Sequence, residues 1–336
     1  MAQVASTGGI GTASCSSSLC LQSFRKVEPF VERTIRTSGR TCRESMTRRL
    51  YPISLAELAN FARELRVTTE ESRKRFVQYV VLQAISASPL RDVLIFKGGN
   101  ALRFVYANRR GTMDLDFTAT SALPDDKPSI GLALDSAFVV AFGQFGVKLR
   151  YQSAQRNPPG ADKHFPTYEV KVGYQFPGDR YFPEFDARAQ PVSSVVDLEI
   201  SLNDVVCDDA LIKLDPQRDL CTRVCSVEDI VAEKLRALLQ QRVRKRHRKQ
   251  DAYDIASMLR MHRDQINPER VTQFFLRKAK ARGINPSRSM FDDEIRRRAS
   301  CEYETLFDDE RDPYYIPFDQ AWDEVIRLVH ALDIPP

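Results

Sequence analysis

Two aspartates one residue apart, Asp114 and Asp116 of "TMDLDF", follow closely on a glycine pair, Gly98 and Gly99, in the stretch 96–117, "FKGGNALRFVYANRRGTMDLDF". In a strand, residues two apart share a face, so both carboxylates project together while Leu115 and Phe117 point to the core. Strand geometry sets the two Cα atoms about 6–7 Å apart. Ionised carboxylates so placed repel each other unless a cation lies between them. Magnesium suits such a pair: it takes one or two carboxylates, keeps several waters and bridges to phosphates. The glycines let the backbone turn sharply and approach a phosphate, and the free amides opening the next helix favour an anion. Alone, a glycine pair is usually just a turn and a D-x-D just two solvated acids. Joined at strand–turn–helix–strand spacing, they place phosphate beside metal.

A third acid is available in "VVDLEISL", where Asp197 and Glu199 share the face opposite Leu198, Ile200 and Leu202. Glu199 is the candidate third metal ligand, and a solvated strand face accounts better for Asp197.

The segment "SVEDIVAEKLRALLQQRV" opens with Ser226 and Asp229 in capping-box spacing. Its apolar face is Val227, Ile230, Val231, Leu235 and Leu238, and Lys234 falls on that stripe. A lysine there either snorkels to solvent or meets an anionic partner, because an unpaired buried ammonium is costly. In "RKQDAYDIASML", Asp251 and Asp254 are three apart and therefore neighbours on a helix. Lys234 and Asp251 are expected to face one cleft, the lysine on substrate phosphates and the aspartate near the transferred group or orienting the lysine. Between them, "RVRKRHRK" at 242–249 carries seven basic or imidazole side chains in eight positions. Such a run is commonly a solvated loop. It would also guide RNA or a triphosphate, with Arg244, Arg246, Arg248 and Lys249 as the candidate contacts.

The elements that must position these residues follow from periodicity. Leu55, Leu58, Ala59, Ala62 and Leu65 predict a helix from Ser54, and Phe76, Val77, Val80, Val81 and Ala84 predict a second from Thr69, ended by Pro89. "DVLIFKGG" reads as a buried strand and turn, "NALRFVYANRR" as a helix and "TMDLDF" as a strand. "IGLALDSAFVVAFGQF" reads as a helix; "GVKLRYQS", "TYEVKVGYQF" and "VSSVVDLEISLND" read as strands. From Ser226 nearly everything is helical. The predicted class is α+β, a small mixed sheet flanked by helices with a helical C-terminal region. The expected division is a tail or overextended start over 1–45, a helical lead-in over 46–88, an α/β core over 89–220 and a helical domain over 221–336.

Composition narrows the class. The chain has 336 residues, 43% hydrophobic and 28% charged, as in ordinary globular proteins. No apolar run approaches the roughly 20 residues that a spanning helix needs, so no membrane span is expected. A formal net charge of +5 proves no nucleic-acid partner. The seven cysteines show no C-x-x-C spacing, which favours a reduced, cytoplasmic protein. Residues 1–45 start with "MAQVASTGGIGTASCSSSLC", lack the marks of a secretory signal, and precede a more natural beginning at Met46.

Taken in order, "KGGNAL", "RRGTMDLDF", "EDIVAEKLRALLQQR" and "RKQDAYDI" resemble the AbiEii/AbiGii-type nucleotidyltransferase toxins, a branch of the DNA polymerase β-like superfamily, over roughly residues 50 to 265. The resemblance implies a magnesium- or manganese-dependent toxin of a toxin–antitoxin pair, of the phage-defence kind, that moves a nucleoside monophosphate from an NTP to RNA, such as the 3′ end of tRNA, and is restrained by a cognate antitoxin. It implies that Asp114, Asp116, Lys234 and Asp251 are catalytic. Lys97, Gly98, Gly99, Asn100, Arg110 and Lys234 would bind the NTP phosphates, and Asp114 and Asp116, with Glu199, the metal. Asn100 stands where a Ser or Thr is usual and Thr112 where a serine is usual; the asparagine amide would serve as the phosphate donor. Two rivals follow from the same residues: a small-molecule nucleotidyltransferase of the antibiotic-modifying kind, and a non-catalytic RNA-binding protein on the same fold.

Overall fold

The computed structural model describes residues 49–110, 112–120, 123–159, 165–215, 217–244, 247–307, 312 and 314–336. The reading of residues 1–45 as a tail or overextended start lies outside them, as does Arg246.

Both early helices form. Helix α1 spans Leu58–Leu65 and α2 spans Thr69–Ser86. Thr68 caps α2 by accepting a hydrogen bond from the Glu71 amide at 3.0 Å. The burial of α2 is wider than one apolar stripe, since Tyr79, Leu82 and Ile85 are enclosed along with Phe76, Val77, Val80, Val81 and Ala84. It is a central helix of the core.

The sheet has seven strands: β1 Leu94–Lys97, β2 Asp114–Ala119, β3 Lys148–Asn157, β4 Thr167–Gln175, β5 Val195–Ser201, β6 Asp209–Ile212 and β7 Thr222–Cys225. Their order is β3-β4-β5-β2-β1-β7-β6. β1 and β2 are antiparallel, joined by α3, Gly98–Tyr106; β2 pairs parallel with β5, and β1 parallel with β7. The sheet is mixed, as expected. Strands β6 and β7 go beyond the sequence reading: four residues each are too few to show an alternation. β7 lies beyond the 89–220 boundary yet joins the sheet beside β1.

Helix α4, Lys127–Phe145, packs on β3 and α2. Asp126 caps it through the Ser129 amide at 2.8 Å, and Gly146 closes it in the left-handed region. Its 19 residues meet the length and hydropathy of a membrane span, so the expectation that no run approaches that length is corrected. Its apolarity arises because Ile130, Leu134, Ala137, Phe138 and Ala141 fill the core while the outer face keeps Leu132 and Val139 exposed.

The C-terminal part holds α5 Val227–Arg244, α6 Lys249–His262, α7 Pro268–Ala281, α8 Asp293–Ser300 and α9 Phe318–Ala331. α5 packs on α6 and α7, and α6 on α9. The aromatic segment before α9 braces α6: Phe307 meets the Tyr253 ring edge-on at 5.1 Å, and the Tyr253 hydroxyl donates to the Tyr314 carbonyl at 3.2 Å.

Candidate active site

The alternation of β2 buries Leu115 and Phe117 completely and leaves Asp114 and Asp116 on the opposite, partly open face. Register extends that face into rows. Asp116 sits between Lys97 of β1 and Glu199 of β5, and Glu199 is followed by Glu169 of β4. Asp114 is opposite Asp197, which is opposite Lys171. A cavity of about 710 Å³ runs along this face, lined by Asp114, Glu169, Asp197 and Glu199 with Lys127, Arg156 and Lys171.

Backbone geometry presses the turn onto the carboxylates. Gly98 has φ +74, and a Cβ placed on it would lie 2.1 Å from Asp116 Oδ2. Only glycine fits both demands. A Cβ on Gly99 would meet the Thr112 side chain at 2.8 Å and Arg110 Nη2 at 3.2 Å. The amide end of α3, the Asp116 carboxylate and the segment entering β2 are therefore in mutual contact.

The electrostatics follow. Burial, then Glu199, pushes the Asp116 carboxyl up to about 7, against the pull of Lys97. Asp114 is also raised, by burial and then Asp197, and Glu199 by burial and then Asp114. Asp197 pairs with Lys171 at 3.0 Å, and among the described residues Glu199, the acid beside Asp116, makes no ion pair. Among the described residues no three acidic, histidine or cysteine side chains converge closely enough to hold a cation, so Glu199 lies in register with Asp116 without completing a ligand set. An all-oxygen pair with raised carboxyls nevertheless fits a hard divalent cation, which would remove the repulsion.

Lys234 does not snorkel. Its side chain is 9% exposed, and Nζ lies 3.0 Å from Asp251 and 2.7 Å from Asp254. Asp254, absent from the sequence-based candidates, is the hub: it also accepts from Arg110 Nε at 2.8 Å and Nη2 at 2.5 Å. Its three-residue spacing from Asp251 was the available signal. Arg110, expected on phosphates, is thereby directed into α6. The ammonium of Lys234 still pulls down the Asp116 carboxyl, which sets it within electrostatic reach of the carboxylate strand.

The Asn100 side chain is engaged elsewhere: its amide donates to the Thr112 and Asp114 carbonyls at 3.0 and 2.6 Å, so it fastens the entry of β2 to α3 and commits both side-chain N–H groups there. Lys97 pairs with Asp204 at 2.5 Å, and Asp204 also pairs with Arg282 at 2.5 Å. Asp204 was missed because it stands in a loop beyond β5 with no periodic context. These two cations hold its carboxyl well below the usual range. Ser226 caps α5 through the Asp229 amide at 3.2 Å, but Asp229 accepts from the Cys207 amide at 2.6 Å, so the reciprocal half of the capping box is replaced by a loop anchor.

Among the described residues of the basic run, Arg248 comes nearest the carboxylates, and its charge pulls the Glu199 carboxyl down. Lys249 reaches Glu302 at 3.1 Å and Thr305 at 2.6 Å, and Arg248 Nε lies 3.9 Å from Asp251. Arg244 is exposed at the end of α5.

A family model described as the nucleotidyl transferase AbiEii toxin of type IV toxin–antitoxin systems matches residues 80–327. No curated protein matches. Among solved structures, the chain is similar to the nucleotidyltransferase toxin MenT4 from Mycobacterium tuberculosis H37Rv, at 16% identity over 87% of this chain and 89% of that one, TM-score 0.48. It is also similar to an H. pylori protein assigned as a nucleotidyltransferase, at 11% identity over 77% of this chain and 92% of that one, TM-score 0.40.

Proposed function

The chain belongs to the AbiEii nucleotidyl transferase toxin family, and we propose that it transfers a nucleoside monophosphate from an NTP to an RNA acceptor, of which the 3′ end of tRNA is the favoured class. The observation that supports this most directly is the contact of the Gly98 turn with Asp116, which joins a phosphate-ready helix start to a metal-ready carboxylate.

In the transfer, the acceptor hydroxyl oxygen bonds the α-phosphorus, the anhydride bond to the β-phosphate breaks, pyrophosphate leaves and the hydroxyl proton passes to solvent. Amides of Gly98 and Gly99 and the Lys97 ammonium take the phosphates. Lys234, held by Asp251 and Asp254, offsets negative charge developing near Asp116. Asp114 and Asp116, with Glu199 beside them, would hold Mg²⁺ or Mn²⁺, which when bound would supply positive charge for activating the hydroxyl and for the leaving pyrophosphate. The toxin family implies a cognate antitoxin, and a role in phage defence and a cytoplasmic site of action belong to the same reading.

The test is incubation with Mg²⁺, total tRNA and each α-³²P-labelled NTP in turn, beside Asp114→Ala. Label on RNA with the wild type alone supports the reading and names the nucleotide; label with neither protein, or with both, overturns it.

A second reading has one specific observation behind it. The cavity beside Asp114 is lined by four carboxylates against three cations, a balance that suits a cationic small acceptor of the antibiotic-modifying kind. Salt separates the two, since RNA binding releases counterions and weakens steeply with ionic strength.

A further inference from the structure

Beside the carboxylate strand, four arginines come together around the segment that enters β2: Arg75 of α2, Arg103 of α3, and Arg109 and Arg110. They lie close enough that Arg75, Arg109 and Arg110 all depress Arg103. Arg110 is neutralised by Asp254. Among the described residues, Arg75 pairs with Glu71, Arg109 lies 3.6 Å from Asp312, and Arg103 makes no ion pair.

Arg103 is the least satisfied of them. It is 8% exposed, its Nη2 donates to the Arg109 carbonyl at 2.9 Å, and its Nε is buried without a hydrogen-bond partner among the described residues. Arg75, equally buried, also has an unpartnered Nε. Burial, then Arg75, pushes the Arg103 guanidinium down to about 9. A structural role alone explains one hydrogen bond, since Asn100 fastens the same segment one turn earlier with a neutral amide. It does not explain a cation in a place where burial and like charges oppose it.

Access is from Lys74 and Arg109. Lys74 makes no ion pair among the described residues, yet its charge lowers the Asp114 carboxyl, so the patch borders the Asp114 end of β2. The Arg109 side chain is 34% exposed and lies over the Tyr314 ring at 4.8 Å.

We propose that Lys74, Arg75, Arg103 and Arg109 form a phosphate-binding site, and that its occupant is a backbone phosphate of the acceptor strand. Guanidinium forks match phosphate oxygens, and several together with an ammonium suit a dianion or a phosphodiester. The NTP phosphates are drawn to the other end of α3: Gly99 and Arg103 are separated by about 6 Å of helix rise. The occupant's identity rests on the RNA-acceptor reading; the anion site itself does not.

The first arm needs no transfer activity. With EDTA present, the thermal midpoint is read in sodium phosphate against sodium chloride at matched ionic strength, for wild type and Lys74→Ala/Arg109→Ala, whose altered side chains are both partly exposed. A phosphate-dependent rise in the wild type that the double variant loses is expected; no rise, or an equal rise in the variant, overturns the site. The second arm measures labelled transfer at varied NTP and varied RNA. The double variant should raise KM for RNA roughly tenfold, leave KM for NTP unchanged and reduce the salt slope of RNA binding by about one to two. A change confined to the NTP KM would overturn the assignment to the acceptor. If no transfer is seen with any NTP, the function reading fails while the first arm still decides the site.

Discussion

The Asp116 carboxylate rests against the Cα of Gly98, so closely that the smallest side chain there would overlap it at 2.1 Å. A residue with φ +74 also pays about 1 kcal/mol of strain once it carries a Cβ. Gly98→Ala should therefore displace Asp116 or unwind the start of α3. The expected loss of transfer is at least about 100-fold, the scale of one misplaced oriented donor, with the thermal transition still cooperative. Wild-type rates from the alanine variant would show that the turn and the carboxylate work separately.

Asp254 is a buried hub, and breaking one partner of a buried pair costs about 3–5 kcal/mol. Asp254→Asn leaves Arg110 and Lys234 without their shared carboxylate, so a loss of stability of that order is expected, measured by denaturant unfolding. Asp251→Asn should be milder on stability, because its Oδ2 already lacks a hydrogen-bond partner and only Oδ1 meets Lys234. Its main effect is expected on kcat through the aim of Lys234. Equal stability losses in the two variants would contradict the hub.

How far these positions were legible depends on the range of the signal. The period-two pattern of "TMDLDF" and "VVDLEISL" predicts both carboxylate faces, and β2 and β5 prove to be neighbours in register. The apolar stripe that makes Lys234 anomalous is also local, and its resolution by an anion was one of the two outcomes foreseen. What stayed hidden were partners chosen across the fold. Nothing near Arg110 in the chain shows that it turns to Asp254, nothing near Lys97 points to Asp204, and Asn100 reads as a phosphate donor until β2 folds over α3. The short strands β6 and β7 hide for a different reason: their pairing, not their composition, makes them strands.

Asp116 gives the metal-free protein a definite pH response. Its folded-state carboxyl is raised to about 7 from an ordinary 3.8, so the folded chain holds a proton that the unfolded chain has released between these values. The stability from this group is complete below about pH 4 and is lost as pH rises through about 7. Asp114 and Glu199, raised in the same direction, reinforce the slope. In EDTA the wild type should melt lower at pH 8 than at pH 6, and Asp116→Asn should flatten that difference. Millimolar Mg²⁺ or Mn²⁺ should restore the wild type at pH 8 and leave the variant unmoved. A flat wild-type profile in EDTA would remove the argument for surplus negative charge.

The basic run separates from the arginine cluster by how its cations are already used. Lys249 meets Glu302 and Thr305, and its side chain is 24% exposed while that of Glu302 is 71% exposed. An ion pair so open to solvent contributes about 0.2–1 kcal/mol. Lys249→Ala should therefore shift stability within that range and leave the salt slope of RNA binding where it was, because its charge offers little to a phosphate. Lys74 makes no ion pair among the described residues and Arg109 meets Asp312 only at 3.6 Å, so their removal should lower the slope. If Lys249→Ala lowers the slope and Lys74→Ala/Arg109→Ala does not, the acceptor runs over α6 and not past the segment that enters β2.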